Sequence, residues 1–406
     1  MDRAAATPAT PDPTGRNATE SPGFTHRPPM GLYVHLPWCV RKCPYCDFNS
    51  FAAGEGPIPE RAYLDALLLE LEGYVRMEDW PAVESVFIGG GTPSLFSAEG
   101  IERLLTGTRR RIALSPAAEV TLEANPGTVE QGRFGEFRQA GINRLSIGIQ
   151  TFDDDALLRI GRIHTAAEAI RAAEGARAAG FNNINLDIMF GLPGQDRKSA
   201  LADVATAISL APDHISRYQL TIEPDTAFHV RPPRLPADDS IWNMQVSGQR
   251  MLMHRGYTHY EVSAFAVPGR QCRHNRNYWE FGDYIGIGAG AHGKLTRPDQ
   301  LSITRTGNTR RPRAWMEQVS NRRQAGTTSR VVCEDLPFEF MLNALRLEEG
   351  FEYELFEERT GLPRDAISPR VRTAENDGLL RIEGGRIVPT ELGGRFLNDL
   401  MARFLP

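Results

Sequence analysis

The chain has 406 residues, with 46 basic and 51 acidic side chains and a net charge of −5. This balance gives no support for a nucleic-acid surface, and no apolar run of about 18 residues predicts a membrane span. Residues 1–28 lack the apolar stretch of a secretory signal, and their Pro, Ala, Thr and Ser content predicts a disordered tail. Three of the five cysteines lie within eight residues, which favours a metal site in a reducing, cytoplasmic compartment over a disulfide framework.

From residue 31 onward, short apolar runs rich in β-branched residues alternate with amphipathic stretches. The predicted strands are 31–36, 85–88, 119–123, 144–149, 183–189 and 214–220. The predicted helices are 59–77, 97–112, 129–139, 166–179 and 197–210. Such alternation is typical of a parallel sheet with right-handed connections. We therefore predict an α/β fold, and the pattern alone leaves a barrel and an open sheet as alternatives.

Beyond residue 225 the alternation fades. Residues 256–265 read as one more strand, 285–294 (IGIGAGAHGK) as a Gly-rich loop, and the polar, Arg-rich 296–330 as a linker. From residue 331, amphipathic helical patterns precede a hairpin that turns at Gly384–Gly385. This order predicts a small α+β, winged-helix-like domain over residues 331–406. Its near-neutral charge favours a packing role over nucleic-acid binding.

The segment GLYVHLPWCVRKCPYCDFNS, residues 31–50, contains Cys39, Cys43 and Cys46 with the spacing Cys-x3-Cys-x2-Cys. A [4Fe–4S] cluster normally takes four thiolates, so three would leave one iron open, as catalytic metals keep an open position. An open iron can chelate the amino and carboxylate groups of S-adenosylmethionine (SAM), and reduction could cleave SAM to a 5′-deoxyadenosyl radical. A zinc site and unligated core cysteines are the alternatives. Zinc is disfavoured because no second Cys-x2-Cys pair is present.

Other chemically notable residues lie at the carboxyl ends of the predicted strands, where parallel α/β folds collect function. Cys39 follows the first strand, Gly89–Gly91 follows the second, and Glu123 ends the third. Gln150 ends the fourth, and Asp187 lies near the end of the fifth. A carboxylate within an apolar strand needs a partner. For Glu123 and Asp187 that partner is either a ribose hydroxyl of SAM or an arginine in a structural ion pair.

The cysteine spacing after a first strand, with Tyr45 before the third cysteine, resembles the radical SAM superfamily, and GGGTPS at 89–94 resembles its glycine motif. A narrower resemblance rests on YVHLPWC, FIGGGTPSLF, EANPGT, NRLSIGIQTF, LDIMFGLPGQ and HNRNYWEFGDYIGIGAGAHGK. Together they resemble the coproporphyrinogen dehydrogenase-like group and, within it, the HemW haem chaperones, over about residues 30–400. The resemblance implies a radical SAM partial (β/α)6 barrel over 29–295, which includes a haem-motif extension, and a HemN-type domain over 331–406.

The resemblance also implies which residues line the SAM site. The matching positions are Tyr33, Tyr45, Gly90, Gly91, Thr92, Glu123, Gln150, Arg162 and Asp187. Glycines fit the methionine end of SAM because a residue without Cβ lets the backbone approach closely. The alternative for Arg162 is that it has no role in the SAM site, since a lone arginine near a predicted helix start is often only solvated.

The segment HNRNYW at 274–279 contains His274, Tyr278 and Trp279. Imidazole is a common axial ligand of haem iron, and aromatic rings offer flat faces to a porphyrin. From the residues alone, such a histidine is more often a solvated loop residue, whereas the resemblance implies haem binding with His274 as the ligand. Three other side chains are candidate iron ligands: Cys272, His35 and His292.

Two functions on this fold compete. The first is a haem chaperone that passes haem to apo-haemoproteins of the respiratory chain and keeps a cluster and SAM as regulatory or redox parts. The second is the oxygen-independent coproporphyrinogen III dehydrogenase, whose pattern continues Cys-x2-Cys-x-Cys. Here Phe48 stands where that last cysteine would be, so we expect a chaperone without that activity. Another radical SAM enzyme is a third alternative, and the fold does not separate the three. The sequence leaves four questions open: which haemoprotein is the client, whether the protein forms a homodimer, whether it associates peripherally with a membrane, and whether it turns over SAM.

Overall fold

A computed structural model describes residues 23–24, 26–54, 56–321 and 325–406, with the backbone but not the side chains of 128–131. Most of the predicted disordered tail therefore lies outside the described residues. Its described end is packed, since Phe24 is buried in the apolar core of the C-terminal domain. Arg27 pairs with Glu78 and lies 4.5 Å from the ring centroid of Trp80. Residues 23–24 and 26–28 belong to the folded body, so the prediction of a disordered tail is wrong for them.

The six predicted strands lie side by side, in chain order, as parallel strands of the main sheet. They are β1 Met30–Leu36, β2 Val83–Gly90, β3 Leu114–Ala124, β4 Arg144–Gln150, β5 Ile184–Phe190 and β6 His214–Gln219. The intervening helices are α1 Glu60–Met77, α2 Ala98–Arg109, α3 Thr128–Ala140, α4 Asp154–Arg159, α5 Ala166–Ala178 and α6 Arg197–Ser209. The predicted strands and the five predicted helices are confirmed. The short α4 was not predicted, and β3 starts earlier than expected.

The sheet continues beyond these strands in both directions. The added elements are α7 Ala227–Val230, α8 Asp238–His254, β7 Thr258–Glu261, β8 Ala264–Ala266, α9 Arg273–Trp279, β9 Asp283–Ile287, β10 His292–Arg297, β11 Ser302–Asn308, α10 Pro312–Ser320 and β12 Gly326–Arg330. The strand order is β12-β11-β10-β9-β1-β2-β3-β4-β5-β6-β8-β7. Strand β9 is parallel to β1, whereas β10–β12 and β7–β8 pair in antiparallel fashion. Within the described residues the sheet is open, which makes the barrel partial.

The predicted linker over 296–330 is wrong for its described residues, 296–321 and 325–330. Strands β11 and β12 extend the main sheet, and α10 packs against α1, where the ring centroids of Trp315 and Tyr63 lie 4.7 Å apart. The side chain of Trp315 is fully buried. Strand β12 lies at the edge of the sheet with mostly exposed residues, and for that reason its composition resembles that of a loop.

Alternate residues of each parallel strand point to opposite faces of the sheet. In β1, Leu32, Val34 and Leu36 are fully buried in the apolar core under the helices. Tyr33 and His35 lie on the other face, inside the barrel, where the phenol of Tyr33 hydrogen-bonds to Nδ1 of His35 at 2.9 Å. The barrel interior is therefore polar at this level, while the outer face of the sheet carries the core.

The C-terminal domain combines short helices with a three-stranded sheet. Its elements are α11 Leu336–Ala344, β13 Phe351–Glu352, α12 Tyr353–Thr360, α13 Ser368–Asn376, β14 Leu380–Glu383, β15 Arg386–Pro389, α14 Glu391–Arg395 and α15 Leu397–Ala402. Strands β14 and β15 form the predicted hairpin, and both of its turn glycines, Gly384 and Gly385, have positive φ angles of 57° and 88°. The predicted α+β domain is confirmed. It packs on the barrel through Phe281, which contacts Phe340 at 5.7 Å between ring centroids.

Candidate cofactor site

The three clustered cysteines lie on one loop at the carboxyl end of β1. Cys39 belongs to a short segment, Trp38–Cys39, that pairs in parallel with Phe51–Ala52 and so closes the loop at its base. Cys39 is buried, and Cys43 and Cys46 are half-buried. Burial raises the pKa of the Cys39 thiol, and the charges of Cys46 and Cys43 add to that rise.

The chemistry of these thiols suits a cationic iron centre. Burial raises the pKa of Cys39 and of Cys46, and hydrogen bonds from Thr92 and Ser50 oppose that rise at Cys39. Buried thiols give up their protons readily only when a cation replaces them. The arrangement of these thiols in this structure is not that of a closed metal site. Among the residues that the structure describes, no three His, Cys, Asp or Glu side chains, these cysteines included, are placed to hold one metal ion.

Arg162 joins this loop to two strand ends. Its Nη2 donates to Oδ1 of Asn125 at 2.8 Å and to the carbonyl of Gly148 at 2.7 Å, and its Nη1 donates to Sγ of Cys43 at 3.7 Å. The solvated alternative is therefore wrong for Arg162. Its buried Nε has no hydrogen-bond partner within the described residues, which leaves one donor for a group bound at the cysteine loop.

The glycine loop packs tightly against the cysteine segment. Gly90 has φ +119°, and a Cβ built there would lie 2.6 Å from Cε1 of His35. A Cβ on Gly91 would lie 2.5 Å from the carbonyl oxygen of Trp38, and the amide of Thr92 donates to that same oxygen at 2.7 Å. The glycines are required by the fold itself, because a side chain would collide with protein atoms before reaching any cofactor.

Two carboxylates line the barrel interior below this loop. Glu123 accepts a hydrogen bond from the amide of Gly90 at 3.1 Å, and burial together with Asp187 raises its pKa to about 7. Asp187 accepts from Ser146 and Asn185 at 2.9 and 2.8 Å, and burial raises its pKa. Neither carboxylate has an Arg or Lys nitrogen within 4.0 Å in the described part of the chain, so the ion-pair alternative is not observed. Both keep acceptor capacity for hydroxyl groups.

The remaining predicted SAM residues surround the same end of the barrel. Gln150 adopts φ +72°, a strained conformation for a residue with a side chain and one that clusters at functional sites. Its Oε1 accepts from the phenol of Tyr218 at 2.8 Å. Tyr45 lies in the cysteine loop with its ring centroid 6.4 Å from that of Phe228. Sequence reasoning missed Tyr218 and Asn125, although Tyr218 occupies an inward position of β6 and Asn125 directly follows β3.

The HNRNYW segment lies at the opposite, amino end of the barrel, on α9. His274 is only 1% exposed, and its ring stacks on Phe87 with centroids 5.2 Å apart. Its Nδ1 hydrogen-bonds with Ser85 and its Nε2 with Tyr278, each at 2.9 Å. Burial, assisted by Arg144, lowers its pKa to about 3. His274 is a neutral core histidine with both nitrogens engaged, so the interpretation as a solvated loop residue is wrong.

The other haem-motif candidates are separated from one another. Trp279 stacks under Arg346, whose Cζ lies 4.3 Å from the ring centroid. The buried thiol of Cys272 donates to Oε1 of Glu119 at 3.6 Å. His35 is buried beside the cysteine loop, with Nε2 bonded to the carbonyl of Asn49 at 2.9 Å, and His292 is exposed at the start of β10. The structure thus brings His274 and Tyr278 together, while Trp279 contacts Arg346.

The fold and the cysteine–glycine site define a radical SAM protein. The sequence profile of the Radical SAM superfamily matches residues 33–206, and that of the HemN C-terminal domain matches residues 333–396. The solved structure of coproporphyrinogen III oxidase HemN from Escherichia coli superposes with a TM-score of 0.76 at 22% identity, covering 93% of this chain and 90% of that one. At that identity the likeness shows the fold alone.

Two relatives identify the family within this class. The heme chaperone HemW of Escherichia coli K12 is 49% identical over 93% of this chain and 98% of its own length. The heme chaperone HemW of Bacillus subtilis 168 is 34% identical over 92% of this chain and 98% of its own length. The chain belongs to the HemW family. None of the helices in the described residues is both long and apolar enough to cross a membrane.

Proposed function

We propose that the protein is a haem chaperone that binds haem and transfers it to apo-haemoproteins of respiration. The observation that carries this proposal is the match to heme chaperones along nearly their whole length. Phe48 supports it too, because this residue is 58% exposed on the cysteine loop at the position where the dehydrogenase pattern has a further cysteine. We propose a cytoplasmic location, since thiols stay reduced there.

We further propose that the cysteine loop holds a [4Fe–4S] cluster and that the surrounding residues bind SAM. Cys39, Cys43 and Cys46 would supply the thiolates, and the bound cluster, once reduced, would supply an electron to SAM. Arg162 would hold positive charge beside the Cys43 thiolate. The other contacts would come from Tyr33, Tyr45, Gly90, Gly91, Thr92, Glu123, Gln150 and Asp187.

Iron content and absorbance near 400 nm after anaerobic reconstitution test the cluster. Replacing Cys39, Cys43 or Cys46 with Ala should abolish both signals, because each removes one of three thiolates. Cys272→Ala and Cys333→Ala are the matched controls. They should keep the iron, since Cys272 is bonded to Glu119 at the other end of the barrel. Iron loss in the controls with iron retained in Cys43→Ala would refute the assignment.

His274, Tyr278 and Trp279 are proposed to take part in haem binding. Because both ring nitrogens of His274 are engaged, ligation to iron would require breaking the bond to Tyr278 or to Ser85. Tyr278→Phe keeps the aromatic ring and removes only the hydroxyl that occupies Nε2 of His274. This variant should bind haem at least as tightly as wild type, whereas His274→Ala should weaken or shift the Soret band. If His274→Ala binds and delivers haem as wild type does, His274 is structural.

Two assays separate the two candidate functions: transfer of haem to an apo-protein and conversion of coproporphyrinogen III. Haem-loaded protein mixed with an apo-cytochrome should restore the activity of that partner. Incubation with coproporphyrinogen III, SAM and a reductant under anaerobic conditions should give no protoporphyrinogen IX. Robust conversion in that incubation would replace the chaperone proposal with the dehydrogenase.

A further inference from the structure

An open cleft of about 670 Å³ lies at the amino ends of the barrel strands, on the face opposite the cysteine loop. Its walls come from four segments that are distant in sequence: residues 26–29, residues 81–85, helix α9 and the end of helix α12. The apolar part of the wall is formed by Pro28, Pro29, Pro81 and Ala82. The other lining residues are polar or charged. A cleft of this size with an apolar patch in a polar wall suits an amphipathic aromatic ligand.

Helix α9 presents one face to this cleft and another to the barrel. Arg273, Arg276 and Asn277 line the cleft, as expected for residues three and four positions apart. His274 and Tyr278, also four apart, lie on the neighbouring face and are bonded to each other inside the barrel. The cleft is therefore the open side of the HNRNYW helix. Ser85 lines the cleft and also bonds to Nδ1 of His274, so the motif's histidine lies directly behind the cleft wall.

Among the arginines of this cleft wall, Arg359 alone forms no ion pair within 4.0 Å with a described residue. It is 8% exposed, and within the described residues its guanidinium donates one hydrogen bond, from Nε to the carbonyl of Glu280 at 3.3 Å. No carboxylate of the described residues lies within 4.0 Å of it, although Glu84, Glu280 and Glu358 line the same cleft. The other arginines of the wall are paired: Arg27 with Glu78, Arg273 with Glu84, and Arg276 with Glu280 and Glu349. A guanidinium so largely removed from water gains stability when an anion joins it, and here the carboxylates of Glu358, Glu280 and Asp283 act on it only from beyond 4.0 Å.

We infer that this cleft is the haem-docking site, with Arg359 binding a propionate carboxylate and the prolines and Ala82 covering a face of the macrocycle. The inference rests on the proposed function, because it names where the haem of that function is held. Arginine forks match carboxylates in a bidentate way, and apolar walls remove porphyrin surface from water. The open form of the cleft suits a carrier that must release its ligand.

Titration of the full-length protein with haemin and with haemin dimethyl ester, whose propionates carry no charge, tests the inference. Arg359→Gln should weaken haemin binding about tenfold, the value of one charge-assisted contact, and should leave binding of the ester unchanged. Arg372→Gln, an exposed arginine of the same domain, is the matched control and should change neither. Ala82→Trp should weaken both ligands, because Ala82 is exposed in the cleft and a large ring would fill it.

The outcomes separate the site from the function. Wild-type protein that binds no haemin refutes the proposed function. If the wild type binds haemin, two results for Arg359→Gln would refute the cleft as the haem site. One is haemin binding as tight as that of the wild type, and the other is equal loss of affinity for haemin and for the ester. Thermal unfolding shows whether each variant is folded. If Arg359→Gln does not fold, Ala82→Trp still tests the inference, because an unchanged affinity of that variant for haemin would overturn it.

Discussion

At position 90 the backbone leaves the second strand with φ +119°, and a Cβ there would lie 2.6 Å from the ring of His35. Gly90→Ala combines a strained conformation with a collision, so it should lower the free energy of unfolding by about 1–3 kcal/mol. Gly175→Ala is the control, because Gly175 lies within helix α5 and its added Cβ meets no atom within 4 Å. It should stabilise the protein by about 0.5–1 kcal/mol. Urea unfolding measures both, and equal midpoints for wild type and Gly90→Ala would contradict the assignment of strain.

Glu70 of helix α1 makes folding stability depend on pH. Its carboxylate accepts from the amide of Gly288 at 2.8 Å and from Asn308 at 2.7 Å, yet burial raises its pKa to about 7. The folded state therefore binds this proton more tightly than the unfolded chain, whose carboxyl titrates near 4.5. The contribution of Glu70 to stability is thus present below pH 4.5 and is lost as the pH rises towards 7.

Glu70→Gln cannot ionise, so its stability relative to wild type should rise between about pH 5 and pH 8, by at most about 3 kcal/mol. A constant offset from the altered hydrogen bonds does not affect this difference. Thermal unfolding at several pH values measures it. Glu102→Gln, at an exposed site on helix α2, is the matched substitution control. A stability difference between Glu70→Gln and wild type that does not change with pH would contradict the raised pKa of Glu70.

Some residues of the site could be predicted from the sequence and others could not. The cysteine spacing is local, so it indicated a metal loop without knowledge of the fold. His274 is buried where it hydrogen-bonds to Ser85, which lies 189 residues away in sequence, and no local pattern predicts such a contact. The contacts of Arg162 could not be predicted from a local pattern either, because its partners lie on the cysteine loop and at two strand ends.

Among the elements, the inner strands and their helices were predictable because apolar periodicity is strong where both faces of a sheet are covered. Strands β10–β12 were missed because the signal weakens at a sheet edge. Strand β12 has the sequence GTTSR, and four of its five residues are exposed. An edge strand of this kind has no apolar face, so its composition indicates a linker.

The hairpin of β9 and β10 is held by a buried ion pair. Nζ of Lys294 donates to Oδ1 of Asp283 at 2.9 Å, and both side chains are no more than 1% exposed. The backbone and hydroxyl of Thr296 also donate to Asp283, each at 2.8 Å. Lys294→Met would leave an uncompensated buried carboxylate and should destabilise the protein by about 3–5 kcal/mol.

The double variant Lys294→Met/Asp283→Asn removes both charges and should recover part of that loss. Urea unfolding of wild type, both single variants and the double variant forms a thermodynamic cycle. A double variant no more stable than Lys294→Met would show that the lysine acts through packing and not through charge.

At the scale of the whole molecule, one barrel carries a candidate site at each end. The cysteine loop lies at the carboxyl ends of the strands, and the cleft beside α9 lies at their amino ends. Between them the barrel interior contains a column of rings, in which His274 stacks on Phe87 and Phe87 on Tyr33. Tyr33 reaches His35 beneath the glycine loop. The two sites therefore share a packed interior.

The C-terminal domain and the barrel also share a core, which predicts that they unfold together. One apolar cluster contains Phe340 of the domain, Phe281 and Ile303 of the barrel extension, and Phe24 of the N-terminal segment. Phe340→Ala would open a cavity in this cluster and should cost about 3–5 kcal/mol. Because the cluster spans both parts, amide hydrogen exchange should accelerate in β11 as well as in α13.

Phe396→Ala is the control for that experiment, because Phe396 belongs to the same domain but is 43% exposed. Its effect should stay within about 0.5–1 kcal/mol, with exchange unchanged in β11. If Phe340→Ala accelerates exchange in α13 while β11 keeps wild-type protection, the domain unfolds on its own and the shared cluster does not couple it to the barrel. If hydrogen exchange accelerates in both α13 and β11, unfolding of the domain also destabilises the edge of the main sheet to which β11 belongs.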